Sequence, residues 1–356
     1  MKYKKNKFYN ILNKNKDKDD KFKENFEATK KMNKNNKIKY KLKKKKSFVL
    51  KILLVILLLI ITSVSIFVYF FGGLKKDLGF DKSDEALGLK GSNRINSSVT
   101  NVAIFGVDKR KNEKVGRSDS IMVVSFDGIH KEIKIVSILR DSRVLIDGHG
   151  KDKLGHAFFY GGANLAVKTL NKNFDLDIRD YLALNFGQMI HIIDAFNGVD
   201  VKISREQVDE INGVIQSTKE YRKSPKLEHF REKEKIVHLN GAQALSYARI
   251  RKKDDEHHRA ARQQVILDML LDKLSKMKVS EYPGLLKRLM PYIDTSLGMQ
   301  EMLFFGSFML KGKPKIKRTI IPNRKDPNLK GGLLDGIWYW QYDIEKYKKI
   351  LHNFIY

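Results

Sequence analysis

The chain has 356 residues and a formal net charge of +29, with 70 Lys and Arg against 41 Asp and Glu, and no cysteine. The missing cysteine excludes a disulfide framework and a thiolate metal site. Of the excess charge, +15 lies in residues 1–51, where 20 Lys face 5 acidic side chains, so about half of the basicity belongs to a Lys/Asn-rich tail and no nucleic acid is expected as partner.

In chain order, residues 1–51 read as a disordered cytoplasmic tail that rests on anionic lipid. Ile52 to Phe71 is uncharged and overwhelmingly apolar. Twenty residues at about 1.5 Å each span the roughly 30 Å hydrocarbon core, so this stretch is expected to be a transmembrane signal anchor. Lys43 to Lys46 and Lys51 lie against it and keep the N-terminus cytoplasmic. Everything beyond is then extracytoplasmic. Residues 72–97 read as a linker.

Strand patterns follow at 101–105, 120–126 and 132–139, the last after the turn signal Asp127-Gly128. Helix is expected over 162–173, strand over 181–186, helix over 187–196 and strand over 198–203. The charged segment 218–236 reads as an exposed insertion. Helical pattern returns over 241–248 and from about 259 to 277, then a Pro-punctuated helical stretch, a strand at 315–321 and a closing helix at 343–354. This alternation predicts an α/β fold, a layered α/β/α domain around a central mixed sheet, preceded by one transmembrane helix.

Polar residues recur where the apolar strands stop. They are Gly106-Val-Asp108-Lys-Arg110, Gly116-Arg117-Ser-Asp119 and Arg140-Asp141-Ser-Arg143. Open α/β sheets gather ligands at such ends.

A second concentration is Arg249, Arg251, Arg259 and Arg262, four arginines in fourteen residues of a chain whose basic residues are 54 Lys and 16 Arg. Arginine presents a planar fork that grips phosphate or carboxylate, so the run predicts an anion site, with a polyphosphate the expected ligand. Arg249 and Arg251 converge if the helix ends near Ala248 and the backbone is extended. Arg259, Arg262 and Gln263 share a face if a helix starts near Glu256, where its N-terminus also attracts anions. His257-His258 lacks a metal-ligand spacing, and there is no P-loop.

Together these stretches resemble the LytR-CpsA-Psr (LCP) family of wall-polymer ligases. The matching segments are Asn101-Val-Ala-Ile-Phe-Gly-Val-Asp108, Arg117-Ser-Asp119, Ser137-Ile-Leu-Arg140-Asp141, His156-Ala-Phe-Phe-Tyr160-Gly-Gly, Tyr247-Ala-Arg249-Ile-Arg251 and Arg259-Ala-Ala-Arg262-Gln263. They fit in order over 98–270, with 271–356 completing the domain. Leu139 stands where the family usually has proline, Gly155 where asparagine is common, and His258 where glycine precedes the arginine.

The resemblance implies transfer of a glycopolymer (teichoic acid, capsule or another wall polysaccharide) from undecaprenyl pyrophosphate to a peptidoglycan hydroxyl on N-acetylmuramic acid at the cytoplasmic membrane. It implies Mg²⁺ or Mn²⁺ on Asp108 and Asp119. It further implies a pyrophosphate clamp of Arg117, Arg140, Arg249, Arg251, Arg259 and Arg262, with Gln263 positioning. Asp141 either orients an arginine or accepts a proton. Glu256 takes the family's acidic position, with Asp254 or Asp255 as alternatives. Ala157-Phe-Phe-Tyr160 with the helices at 162–173 and 187–196 is expected to line the lipid groove, with Tyr160 among the substrate-binding residues. The same clamp would serve a lipid-pyrophosphate phosphatase, and a non-enzymatic wall-polymer or lipid-binding regulator is the remaining alternative.

Overall fold

The computed structural model describes residues 77, 79–91, 94–108, 116–218, 221–250, 256–310 and 313–356, all within one of the chain's two units, Phe70–Tyr356. The expected tail 1–51 and membrane span 52–71 lie outside them. Among the described residues no helix is long and apolar enough to cross a membrane.

The elements are α1 (Asp84–Leu87), β1 (Val99–Asp108), β2 (Arg117–Asp127), β3 (Glu132–Ile138), β4 (Arg143–Ile146), β5 (Gly150–Lys153) and α2 (His156–Phe174). Next come β6 (Asp180–Asn185), α3 (Phe186–Ala195), β7 (Val199–Ser204), α4 (Arg205–Ser217), β8 (Glu234–Leu239), α5 (Gly241–Ala248) and α6 (Glu256–Lys276). The chain closes with α7 (Tyr282–Leu289), β9 (Asp294–Thr295), α8 (Met299–Leu310), β10 (Lys315–Ile321), β11 (Lys330–Leu334), β12 (Ile337–Gln341) and α9 (Ile344–Ile355).

The central sheet is mixed, in the order β10-β3-β2-β1-β6-β9. β1 pairs antiparallel with β2 and parallel with β6, while β3 pairs antiparallel with β2 and parallel with β10. Hence β1, β3, β6 and β10 all end at one edge, where β2 begins.

Period-two alternation divides the strand residues between two faces. Ala103, Phe105, Ile121, Val123, Val136 and Ile138 belong to a core that includes Val167 and Leu170 of α2 and Tyr347 and Leu351 of α9. Met122, Val124, Ile133 and Ile135 look the other way, onto Leu267 and Leu271 of α6 and Phe308 and Met309 of α8. The expected α/β/α layering is what forms. On the first face a buried ion pair ties helix to sheet: Lys134 Nζ donates to Asp127 Oδ2 at 3.0 Å and to the Ile355 carbonyl at 2.9 Å.

Three segments differ from their expected form. The 72–97 linker carries α1, and Phe80 and Leu87 are buried in the core, because isolated apolar residues among charges suffice to dock a short segment. The 218–236 stretch is no free insertion. Tyr221 and Leu227 are buried beneath it, Asn212 exchanges two hydrogen bonds with Leu227 (3.0 and 2.8 Å), and β8 starts inside it. The hairpin β11–β12 had no counterpart in the expected elements, although Asp335-Gly336, both at positive φ, supplies the turn.

Candidate active site at the carboxyl edge of the sheet

The sheet brings the three strand-end clusters together. Asp108, last in β1, lies in register with Arg117, first in β2. The register slips between Gly106/Ser120 and Val107/Ser118, so Asp119 is the extra residue of a β-bulge. A bulge re-aims a side chain out of the strand's alternation, and here it delivers Asp119 to Arg140, just past β3, whose guanidinium donates to Asp119 Oδ1 at 2.6 Å.

Arg140 is the hub of the cluster. Its Nε stands 3.2 Å from Glu256 Oε1 and 3.5 Å from Asp141 Oδ2. Burial opposes its charge, but Asp119, Glu256 and Asp141 outweigh that cost and hold its pKa above the ordinary arginine value. Glu256 opens α6 and also accepts from Arg259 at 2.6 Å. Burial pushes its carboxyl above the ordinary glutamate value, against the opposing pull of Arg259 and Arg140. Arg259, only 8% exposed, donates to the Asp119 carbonyl at 3.2 Å. A residue the sequence did not single out joins here: Lys153 Nζ lies 2.8 Å from Asp141 Oδ1.

Arg249 forms a second pole. It caps the C-terminus of α5, which ends at Ala248 as expected. Its guanidinium lies over Phe186 at 4.2 Å and bonds the Tyr221 hydroxyl at 3.1 Å. Neither aromatic partner was foreseen, because both come from segments distant in sequence. Arg262 turns back to the Ile250 carbonyl at 2.7 Å, pinning the chain just beyond Arg249. Arg110, Arg251, Asp254 and Asp255 lie outside the described residues.

Between α3, α5, α6 and the sheet is an apolar cavity of about 210 Å³. Its lining includes Ile104, Met122, Leu184, Met189, Ile193, Ala248 and Leu270, and its polar members are Ser120, Asn185, Arg249 and Gln263. Ser120 opposes Gly106 near the strand ends, and Asn185 closes β6, so the polar side of the cavity is the carboxyl edge. This corrects the expected groove. The 187–196 region lines it, but Ala157-Phe-Phe-Tyr160 and the 162–173 helix do not. Ala157 and Phe158 pack on the opposite sheet face, because α2 follows β5 onto that side. Tyr160 is half out in solvent and donates to Asp152 Oδ2 at 2.8 Å.

No group of three or more His, Cys, Asp or Glu is arranged to hold a metal ion among the described residues. Magnesium usually takes only one or two carboxylates, completing its shell with waters and substrate phosphates. Asp108 and the bulged Asp119 on adjacent strands fit that donor set.

The sequence matches the LytR_cpsA_psr family over residues 74–355. The chain belongs to the LytR-CpsA-Psr family. Among its relatives, the polyisoprenyl-teichoic acid–peptidoglycan teichoic acid transferase TagU of Bacillus cereus strain AH820 is 30% identical over 68% of this chain and 74% of that protein. TagT of Bacillus subtilis strain 168, a transferase of the same description, is 31% identical over 61% of this chain and 67% of that protein. Among solved structures, TagT bound to LI-WTA matches with a TM-score of 0.59 at 24% identity, covering 75% of this chain and 95% of that one. TagT with bound octaprenyl pyrophosphate lipid matches at 0.55 and 23%, over 75% and 95%.

Two departures from the usual LytR-CpsA-Psr residues have structural reasons. The Leu139 amide donates to the Ile321 carbonyl at 2.9 Å, a ladder bond that proline would forfeit. At Gly155 a Cβ would stand 2.7 Å from the Ser118 carbonyl oxygen, so the bare backbone lets the α2 start close on β2.

Proposed function

We propose that this protein transfers a phosphate-linked wall glycopolymer from a polyprenyl pyrophosphate of the undecaprenyl type to a peptidoglycan hydroxyl on N-acetylmuramic acid, releasing the polyprenyl phosphate. One observation carries the reading: an apolar cavity whose polar side, at Arg249 and Gln263, faces the arginine–carboxylate cluster. The names of the relatives and the lipid and polymer bound to the similar structures support it.

In this reading the cavity takes the polyprenyl tail, which excludes water from the adjoining edge. Arg249, held flat by Phe186, and Gln263 receive the phosphates at the mouth. Arg140, Arg259, Arg117 and Arg251 stabilise charge as it develops, since phosphoryl transfer depends chiefly on positioning and electrostatics. The acceptor hydroxyl oxygen forms a bond to the phosphorus carrying the polymer, the bond to the lipid phosphate breaks, and the hydroxyl proton is balanced by protonation of the released polyprenyl phosphate. Asp141, fixed between Lys153 and Arg140, orients Arg140, and Glu256 holds Arg140 and Arg259 together. Bound through Asp108 and Asp119, Mg²⁺ (or Mn²⁺) would neutralise charge on the phosphate oxygens. We place residues 52–71 in the cytoplasmic membrane, the tail inside and the domain of 98–270 with 271–356 outside.

Incubating the full chain with a lipid-pyrophosphate polymer and a glycan acceptor tests this. Polymer joined to glycan through phosphate, and lost in Arg249→Ala, is the expected product. Free polymer phosphate alone would mean hydrolysis and would overturn the ligase reading.

A further inference from the structure

α2 is broken at Gly161 and Gly162, the latter at a φ of 60°. The break separates the turn His156–Tyr160 from the body of the helix. Phe158 of that turn packs on Phe105, with ring centres 5.3 Å apart. Phe159 and Tyr160 face outward, each 40% exposed, with ring centres 5.8 Å apart. His149, from the β4–β5 turn, stacks on Tyr160 at 4.0 Å.

This aromatic shelf is rigidly held. Asp152 accepts from Tyr160 (2.8 Å) and Tyr339 (3.1 Å) and pairs with His156 Nδ1 (2.8 Å). It is also joined to the candidate active site. The Arg117 guanidinium lies 5.3 Å from the Phe159 ring centre, and Lys153, next to Asp152, grips Asp141.

The shelf and the cavity lie on opposite sides of the sheet's carboxyl edge, since α2 covers one face while α6 covers the other. Phosphoryl transfer sets the attacking and leaving oxygens roughly in line across phosphorus. A lipid phosphate that leaves toward the cavity therefore requires its acceptor to arrive from the shelf. We propose that Phe159, Tyr160 and His149 form the subsite for the acceptor glycan, an amino-sugar chain. Its C–H faces stack on the exposed rings, beside the Arg117 that faces the reacting phosphate. The proposal rests on the glycopolymer-transferase reading and adds the acceptor's place to it.

The test compares the full wild-type chain with Phe159→Ala and Phe159→Trp at saturating lipid donor and varied glycan. Phe159→Ala should raise the acceptor KM about tenfold with kcat little changed, and Phe159→Trp should restore it. The donor KM and the thermal midpoint should not move, which separates stacking from a structural role. Direct titration with a soluble peptidoglycan tetrasaccharide keeps the two readings apart. Weaker binding in Phe159→Ala supports the subsite even if the wild type transfers nothing, an outcome that would sink the transferase reading alone. Equal acceptor KM and equal tetrasaccharide binding in wild type and Phe159→Ala would overturn the subsite.

Discussion

Asp119 and Arg140 meet at 2.6 Å only because a β-bulge turns Asp119 out of its strand's alternation. Their substitutions should separate chemistry from stability. Asp119→Asn keeps the volume and leaves Arg140 two other carboxylates, so transfer should fall at least about 100-fold with little change in thermal midpoint. Arg140→Ala instead strips Asp119, Asp141 and Glu256 of their shared cation. It should lose activity and also unfold at a clearly lower temperature.

Glu256 gives a prediction of opposite sign. Burial raises its carboxyl pKa, so ionisation costs the folded state stability at pH values above that raised pKa, and the cost is relieved as pH falls through it. Glu256→Gln should therefore unfold at the same or higher temperature than wild type at neutral pH, with the difference vanishing in acid, while transfer drops. Thermal melts across pH check this, and a less stable variant at neutral pH would contradict it.

Asp127 lies far from the site and behaves conventionally. Burial disfavours its charge, but contacts from His130 and Lys134 outweigh that and lower its pKa to about 2. The stability it contributes is present above the unfolded value of about 3.9 and fades as pH falls toward the folded one. Asp127→Asn should cost about 2 kcal/mol at neutral pH and less than about 0.5 kcal/mol near pH 2, read by denaturant titration at both.

Tyr221 fixes Arg249 from a segment read as an exposed insertion. Tyr221→Phe removes the 3.1 Å bond yet keeps the buried ring, so transfer should fall several-fold, about 1 kcal/mol in the barrier, with the fold intact. A variant with unchanged transfer would remove Tyr221 from the site.

How far these features could be read from the chain depended on their range. Strand 101–105 announced itself by its apolar run and 132–139 by alternation, and the facing ends of α5 and α6 by the spacing of Arg249 and Arg259. Asp119's bulge left no mark, because Ser118-Asp119-Ser120 looks like a plain polar run before a strand. Phe186, Tyr221 and Lys153 are brought to the arginines and Asp141 by tertiary packing alone. Of the two helices expected around an apolar groove, 187–196 lines the cavity and 162–173 covers the other sheet face, because apolar content does not tell which face a helix covers. The β11–β12 hairpin did carry a signal, Asp335-Gly336 between short alternating runs.

The cavity makes a simpler demand. Ala248 is buried on its wall, and Ala248→Phe would fill space otherwise open to a lipid tail. Binding of a polyprenyl pyrophosphate should weaken at least about tenfold, with no loss of thermal stability.

In the proposed reaction one lipid pyrophosphate spans the cavity and the arginine–carboxylate edge. A structure of the full chain with a polyprenyl pyrophosphate and Mg²⁺ tests it most directly. The prenyl chain should lie between α3, α5 and α6, its phosphates against Arg249 and Arg140, and the cation on Asp108 and Asp119. A lipid lodged elsewhere, or phosphates that touch none of these side chains, would contradict it.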